Sequence, residues 1–142
     1  MSAPIVVRCT LPASPERVFD LFTRADQLML WFCDTAHSDL VVGGEVHAQW
    51  TDEDGETWTR SGRWAELDAP FVAVLDWHGE AGATEPFRIA IAPHSEGASL
   101  TVLSPGLPPR DGIPLDVALD AVRQGWEHTL EMLAGLLRDE RG

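Results

Sequence analysis

Apolar residues recur along this chain in two rhythms. From Ile5 to Leu11 they alternate with polar residues, which predicts a first strand. Ser14-Pro15-Glu16 then reads as a helix start: serine caps, proline suits the first turn, and glutamate favours the positive helix end. Val18, Phe19 and Phe22 form one apolar face of that helix. Thr23 with Asp26 has the form of a second capping box, opening a helix that carries Leu28, Trp31 and Phe32. Gly43-Gly44 marks a break, after which period two returns. Val46, Ala48 and Trp50 alternate with His47 and Gln49, a half-buried strand. Asp52-Glu53-Asp54-Gly55 is a hairpin turn, and Thr57 to Leu67 the return strand. Asp68-Ala69-Pro70 turns tightly into Phe71 to Trp77, where Ala73, Leu75 and Trp77 oppose Val72, Val74 and Asp76. After a loop rich in Gly and Ala come a strand with Phe87, Ile89 and Ile91 and a last one with Leu100 and Val102. Pro105 to Pro114, with four prolines and two glycines, is a connector.

The end of the chain takes up helical spacing. Leu115, Leu119, Val122, Trp126, Leu130, Leu133 and Leu137 step by three or four residues, one apolar stripe over about six turns. Asp116, Asp120, Arg123, Glu127, Glu131 and Arg138 occupy the other face. A helix so long and one-sided needs a large apolar partner, and the concave face of a curved sheet supplies one. The expectation is an α+β fold: an antiparallel sheet wrapped around a C-terminal helix, with two short helices after the first strand. The 142 residues suit one domain with one core, spanning 1–142.

Charge removes several function classes. The formal net charge is −13; there is no Lys, and the ten cations are scattered arginines. A nucleic-acid binder needs a basic footprint to release counterions, so no nucleic-acid partner is expected. An anionic membrane surface would repel the chain, and no apolar run approaches the roughly 20 residues that span a bilayer, so no membrane partner is expected either. The N-terminus lacks the basic and apolar regions of a signal peptide, which points to the cytoplasm. Without Lys, Schiff-base chemistry is excluded. Asn and Tyr are missing too; a GC-rich genome accounts for all three absences. Cys9 and Cys33 share no CxxC spacing and read as structural thiols, with a disulfide between them as the alternative.

Candidate chemistry is sparse. The five histidines show neither the helical i, i+4 spacing of a zinc site nor an HExxH motif, so no metal is expected. His47 and His78 fall on outward strand faces. His37, in an irregular stretch, is the histidine best placed to reach a cavity mouth. Cys33 beside it suggests a thiolate pair, but no oxyanion group or orienting residue accompanies them. Arg60 shares strand parity with Trp58 and Trp64, which points it inward and demands a partner; a partly exposed surface ion pair is the simpler reading. The acidic turn from Asp52 to Glu56 lacks the spacing of a calcium loop. No nucleophile elbow, phosphate loop or dinucleotide fingerprint occurs, so no catalytic residue and no cofactor is assigned.

Six tryptophans are a high count for this length. Trp50, Trp77 and Trp126 have the parity to face the interior between helix and sheet, and Trp31 caps one end. They either fill the core or line a pocket for an apolar, planar ligand. If a cavity exists, its expected lining is Trp31, Trp50, Trp77, Phe87, Ile89, Leu119, Val122 and Trp126.

Several segments together resemble the activator of heat-shock-protein-90 ATPase-like family, within the START, polyketide-cyclase and birch-allergen-like (SRPBCC) superfamily of helix-grip proteins. Ala13-Ser14-Pro15-Glu16-Arg17-Val18-Phe19 is similar to its first-helix signature. Leu28 to Phe32, Asp39 to Gly44, Gly62 to Pro70, and Gly125-Trp126 followed by Leu130 and Leu133 are similar to its later segments. Ser104 stands where many members have histidine, and Asp76 where threonine is usual. The resemblance implies six or seven antiparallel strands around a long C-terminal helix but no uniform activity, since fold does not settle function. The preferred expectation is non-catalytic binding of a small hydrophobic or aromatic molecule between sheet and helix. The rivals are a cyclase- or hydrolase-type enzyme using the same cavity, and a chaperone-accessory or protein-interaction module. A homodimer and a chaperone partner are the macromolecular associations that the resemblance allows.

Overall fold

The computed structural model describes residues 5–78, 84–104 and 115–141; the side chains at 84, 115, 116, 118, 119 and 141 lie outside that description. Seven strands and three helices follow one another as β1 (Ile5–Leu11), α1 (Pro15–Thr23), α2 (Ala25–Leu28), β2 (Thr35–Ser38), β3 (Glu45–Thr51), β4 (Thr57–Asp68), β5 (Val72–His78), β6 (Thr84–His94), β7 (Gly97–Ser104) and α3 (Leu115–Arg141). The strands form one antiparallel sheet in the order β1-β7-β6-β5-β4-β3-β2. Consecutive strands from β2 to β7 are neighbours, and only β1 crosses over, to pair with β7 from Ile5↔Ser104 to Leu11↔Ala98. The α+β fold of a curved sheet around a long C-terminal helix is the one expected.

Alternation sets which face is buried. Val46 and Ala48 on β3, Trp64 on β4, Ala73, Leu75 and Trp77 on β5, Ile89 and Ile91 on β6, and Leu100 and Val102 on β7 all lie in the core. On the helix, Leu130, Leu133 and Leu137 are buried, whereas Val122 and Trp126 are only half-buried. Burial therefore falls away from the C-terminal half of α3 toward its N-terminal half. Arg123 Nη1 donates to the Val6 carbonyl at 3.2 Å, tying the helix to edge strand β1. Leu115, Leu119 and the connector from 105 to 114 lie outside the described residues.

Local signals explain most element ends. Ser14 caps α1 as expected: the Arg17 backbone N–H donates to its Oγ at 3.2 Å. The second capping box does not form. Thr23 is fully buried and its hydroxyl donates to the Phe19 carbonyl at 2.8 Å, four residues back, so it belongs to α1. Arg24 precedes α2 without a side-chain cap. That helix is one turn long and stops at Leu28, so Trp31 and Phe32 follow it in a turn rather than on it. The stretch holding His37 is not irregular either: it is edge strand β2, paired with β3 through His37↔His47. Gly43, at φ +85, supplies the left-handed residue of the β2–β3 connection. At Gly62, opposite Trp77, a Cβ would meet the Asp76 carbonyl oxygen at 2.5 Å, so glycine alone lets β4 and β5 approach there.

Candidate functional site

A cavity of about 190 Å³ lies between the sheet and the N-terminal half of α3. Its floor is the inner face of β3 to β7, with Ala48, Trp64, Leu75, Trp77, Phe87 and Ile89 among the lining side chains. Trp126 covers it from α3, and Phe22, Trp31 and Phe32 close it from the first helices and the turn after them.

Ring contacts hold these walls in place. Phe87 stacks on Trp126 with centroids 5.4 Å apart, and Phe32 on Trp77 at 6.1 Å. Trp31 meets Phe22 edge-on at 4.9 Å and lies 6.4 Å from Trp126. The Trp31 indole N–H donates to the Leu21 carbonyl at 2.8 Å, leaving its apolar body for the cavity.

Two of the cavity's lining residues are charged or hydroxyl-bearing. Arg60, on β4, lays its guanidinium over the Trp77 ring, 5.0 Å from the centroid, and donates through Nη2 to Glu85 on β6. The pair is partly exposed, 39% and 43% for the two side chains. Both expectations for Arg60 thus hold at once: it points inward by parity and forms a partly exposed ion pair. Ser104, at the end of β7, is 8% exposed. Its hydroxyl makes no hydrogen bond among the described residues, although no fully enclosed side-chain polar atom there is left unpaired. It lines the cavity, three strands away from Arg60.

Of the residues expected to line a cavity, Trp31, Trp77, Phe87, Ile89 and Trp126 are brought together in one wall. Trp50 is not among them. It is half-buried near the far end of β3, where its indole N–H donates to the Phe32 carbonyl at 2.6 Å and its ring stacks on exposed Trp58 at 6.3 Å. Parity placed it on the inner face correctly; its height along the strand carries it past the cavity. Val122 borders a shallow groove beside Trp126 instead. Leu119 lies outside the described side chains. Phe22, Phe32, Trp64 and Ser104 also line the cavity, beyond the expected set. For Trp64, even spacing from Arg60 was available as a signal; for Phe32, which reaches the cavity from a turn, periodicity offers none.

The remaining candidates lie elsewhere. His37 is exposed on the outer face, its ring 6.0 Å from His47, and does not reach the cavity mouth. His47 bonds Ser61 Oγ at 2.9 Å and Glu45 at 3.3 Å on that same exposed face. Cys9 and Cys33 form no disulfide, and burial pushes both thiols above their ordinary range. Among the described residues no set of three His, Cys, Asp or Glu side chains converges to hold a metal, and no helix is long and apolar enough to cross a membrane.

A seven-stranded antiparallel sheet gripping a long C-terminal helix, with an apolar space between them, is a helix-grip protein of the SRPBCC type. More narrowly, the chain belongs to the Activator of Hsp90 ATPase homolog 1-like protein family, whose model matches residues 12–138. Solved structures share the fold. A protein of Chromobacterium violaceum is 26% identical, with 94% of this chain and 96% of that one covered and a TM-score of 0.77. One from Rhodobacter sphaeroides is 19% identical over 98% and 94%, at a TM-score of 0.81. The Aha1 dimer of Colwellia psychrerythraea, solved in solution, is 15% identical over 99% of both chains, at 0.76. No curated protein sequence matches this chain.

Proposed function

We propose that this chain, as one domain over residues 1–142, binds a small apolar aromatic molecule between its sheet and C-terminal helix without converting it. The observation that carries this reading is the cavity walled by Trp31, Phe32, Trp77, Phe87 and Trp126, held in mutual ring contact. About 190 Å³ is below the roughly 300–1,000 Å³ of drug-sized sites and just above the ~150 Å³ cavity that takes benzene, so the ligand has one or two rings. Binding rather than catalysis is favoured because the described lining has neither a carboxylate nor an imidazole to move protons. A cyclase or hydrolase would need such a group.

Thermal-shift screening with small aromatics tests this. A ligand at a hundredfold excess over its Kd stabilises the native state by about 2.7 kcal/mol. Shifts for one- and two-ring compounds, abolished by Trp126→Ala, are expected. No shift with any of them would defeat the reading.

Family membership favours a second reading, that of an accessory to the chaperone named in the family description. Met29, Leu30 and Trp58 are exposed apolar side chains that a protein partner could cover. Stimulation of an Hsp90 ATPase by the purified chain would establish this role. The dimer of the Colwellia relative supports a homodimer here, which light scattering would report as twice 15.6 kDa. A cytoplasmic setting completes the proposal.

A further inference from the structure

We infer that the ligand is an aromatic monocarboxylate, its rings in the cavity and its carboxylate on Arg60. This rests on the cavity being a binding site. The chain carries 23 acidic residues against ten basic ones, yet the one charged side chain on the described wall is a cation. Glu85, part exposed, pairs with that cation and is not part of the described lining. The cavity thus selects locally against the protein's own charge.

Arginine suits the task. Its planar fork offers five donors, and the bond to Glu85 uses Nη2, leaving Nη1 and Nε for a second acceptor. The Trp77 ring beneath the guanidinium and the bond to Glu85 hold the fork in place, so less order is lost when a ligand binds. Arg60 is also part exposed, so a carboxylate reaching it keeps much of its hydration while the rings pass inward over Trp77. The net charge of −13 repels an anion at long range, but salt screens that repulsion beyond about 8 Å, and contact with Arg60 decides affinity.

Glu85 then acts as a stand-in. In the free protein its carboxylate occupies one side of the guanidinium. It is itself 43% exposed, so it can yield to a ligand carboxylate and return to water at little cost. Removing Glu85's charge should therefore strengthen binding of an acid and leave binding of a neutral isostere alone.

The test uses 2-naphthoate and its methyl ester, which share a two-ring body and differ in charge, titrated calorimetrically into the full chain. The acid should bind the wild type about tenfold more tightly than the ester, as befits a charge-assisted hydrogen bond. Arg60→Gln should remove that preference, and Glu85→Gln should tighten the acid alone. The acid–ester comparison needs no variant, so a poorly folding Arg60→Gln would leave the test intact. An ester that binds as well as or better than the acid would overturn the carboxylate assignment while leaving the cavity reading standing. If neither probe binds, both fail.

Discussion

Replacing Leu133 by alanine should be among the most damaging single changes to this protein, because that residue is where the C-terminal helix is pinned. Its side chain is 0% exposed, and it lies in one core cluster with Ile5 and Val7 of β1 and with Leu130 and Leu137. Leucine to alanine removes three carbon groups, worth about 2.4 kcal/mol at ~0.8 kcal/mol each. Helix and sheet cannot both collapse onto the gap, so a cavity term raises the loss to about 3–4 kcal/mol. Alanine's better helix propensity returns only a few tenths. With an m-value of roughly 2 kcal/mol/M, the urea midpoint should drop by about 1.5–2 M while m stays unchanged. Met132, next in sequence but 49% exposed, is the control: Met132→Ala should move the stability by less than about 0.5 kcal/mol. Equal midpoints for the two variants would show that α3 does not pack through Leu133, and the cavity that depends on this helix would lose its roof.

Other outcomes follow from the same coordinates. Arg17 bonds Glu140 at 2.9 and 2.6 Å, tying α1 to the end of α3, and holds the Glu140 carboxyl below its usual range. A depressed carboxylate adds stability above its ordinary pKa and loses it as pH falls through the folded value. Glu140→Gln should therefore cost something at pH 7, below about 1 kcal/mol for so exposed a pair, and progressively less as acid protonates the carboxylate in both states; a gap that persists after full protonation would refute the assignment. Burial raises the thiols of Cys9 and Cys33, so both should react slowly with a disulfide reagent at neutral pH and rapidly after unfolding. Rapid labelling of the native chain would contradict their packing.

Much of the fold was legible because its signals are local and periodic. Alternation located six strands, and three-four spacing found the C-terminal helix; Ser14 and Pro15 marked the start of α1. Where non-local contacts chose between readings, local pattern failed. Thr23 has the chemistry of a cap, but burial turned its hydroxyl back onto Phe19. β2, only four residues long, exists because β3 offers it an edge.

The candidate site divides the same way. Parity alone put Trp77, Phe87 and Ile89 on the inner face and Trp126 on the helix stripe, since side-chain direction in a strand or helix depends on nothing beyond the backbone repeat. Parity does not fix height along a strand, so Trp50 faces inward yet misses the cavity. Nor does it reach turns, so Phe32 had no signal. The meeting of Arg60 with Glu85, 25 residues away and across an intervening strand, is set by the register of β4, β5 and β6. Sequence by itself determined which face of each strand and of the C-terminal helix turns inward; only the tertiary structure decided which of those residues leave a space between them, because a void depends on how far the helix stands off the sheet, a distance that no single segment encodes.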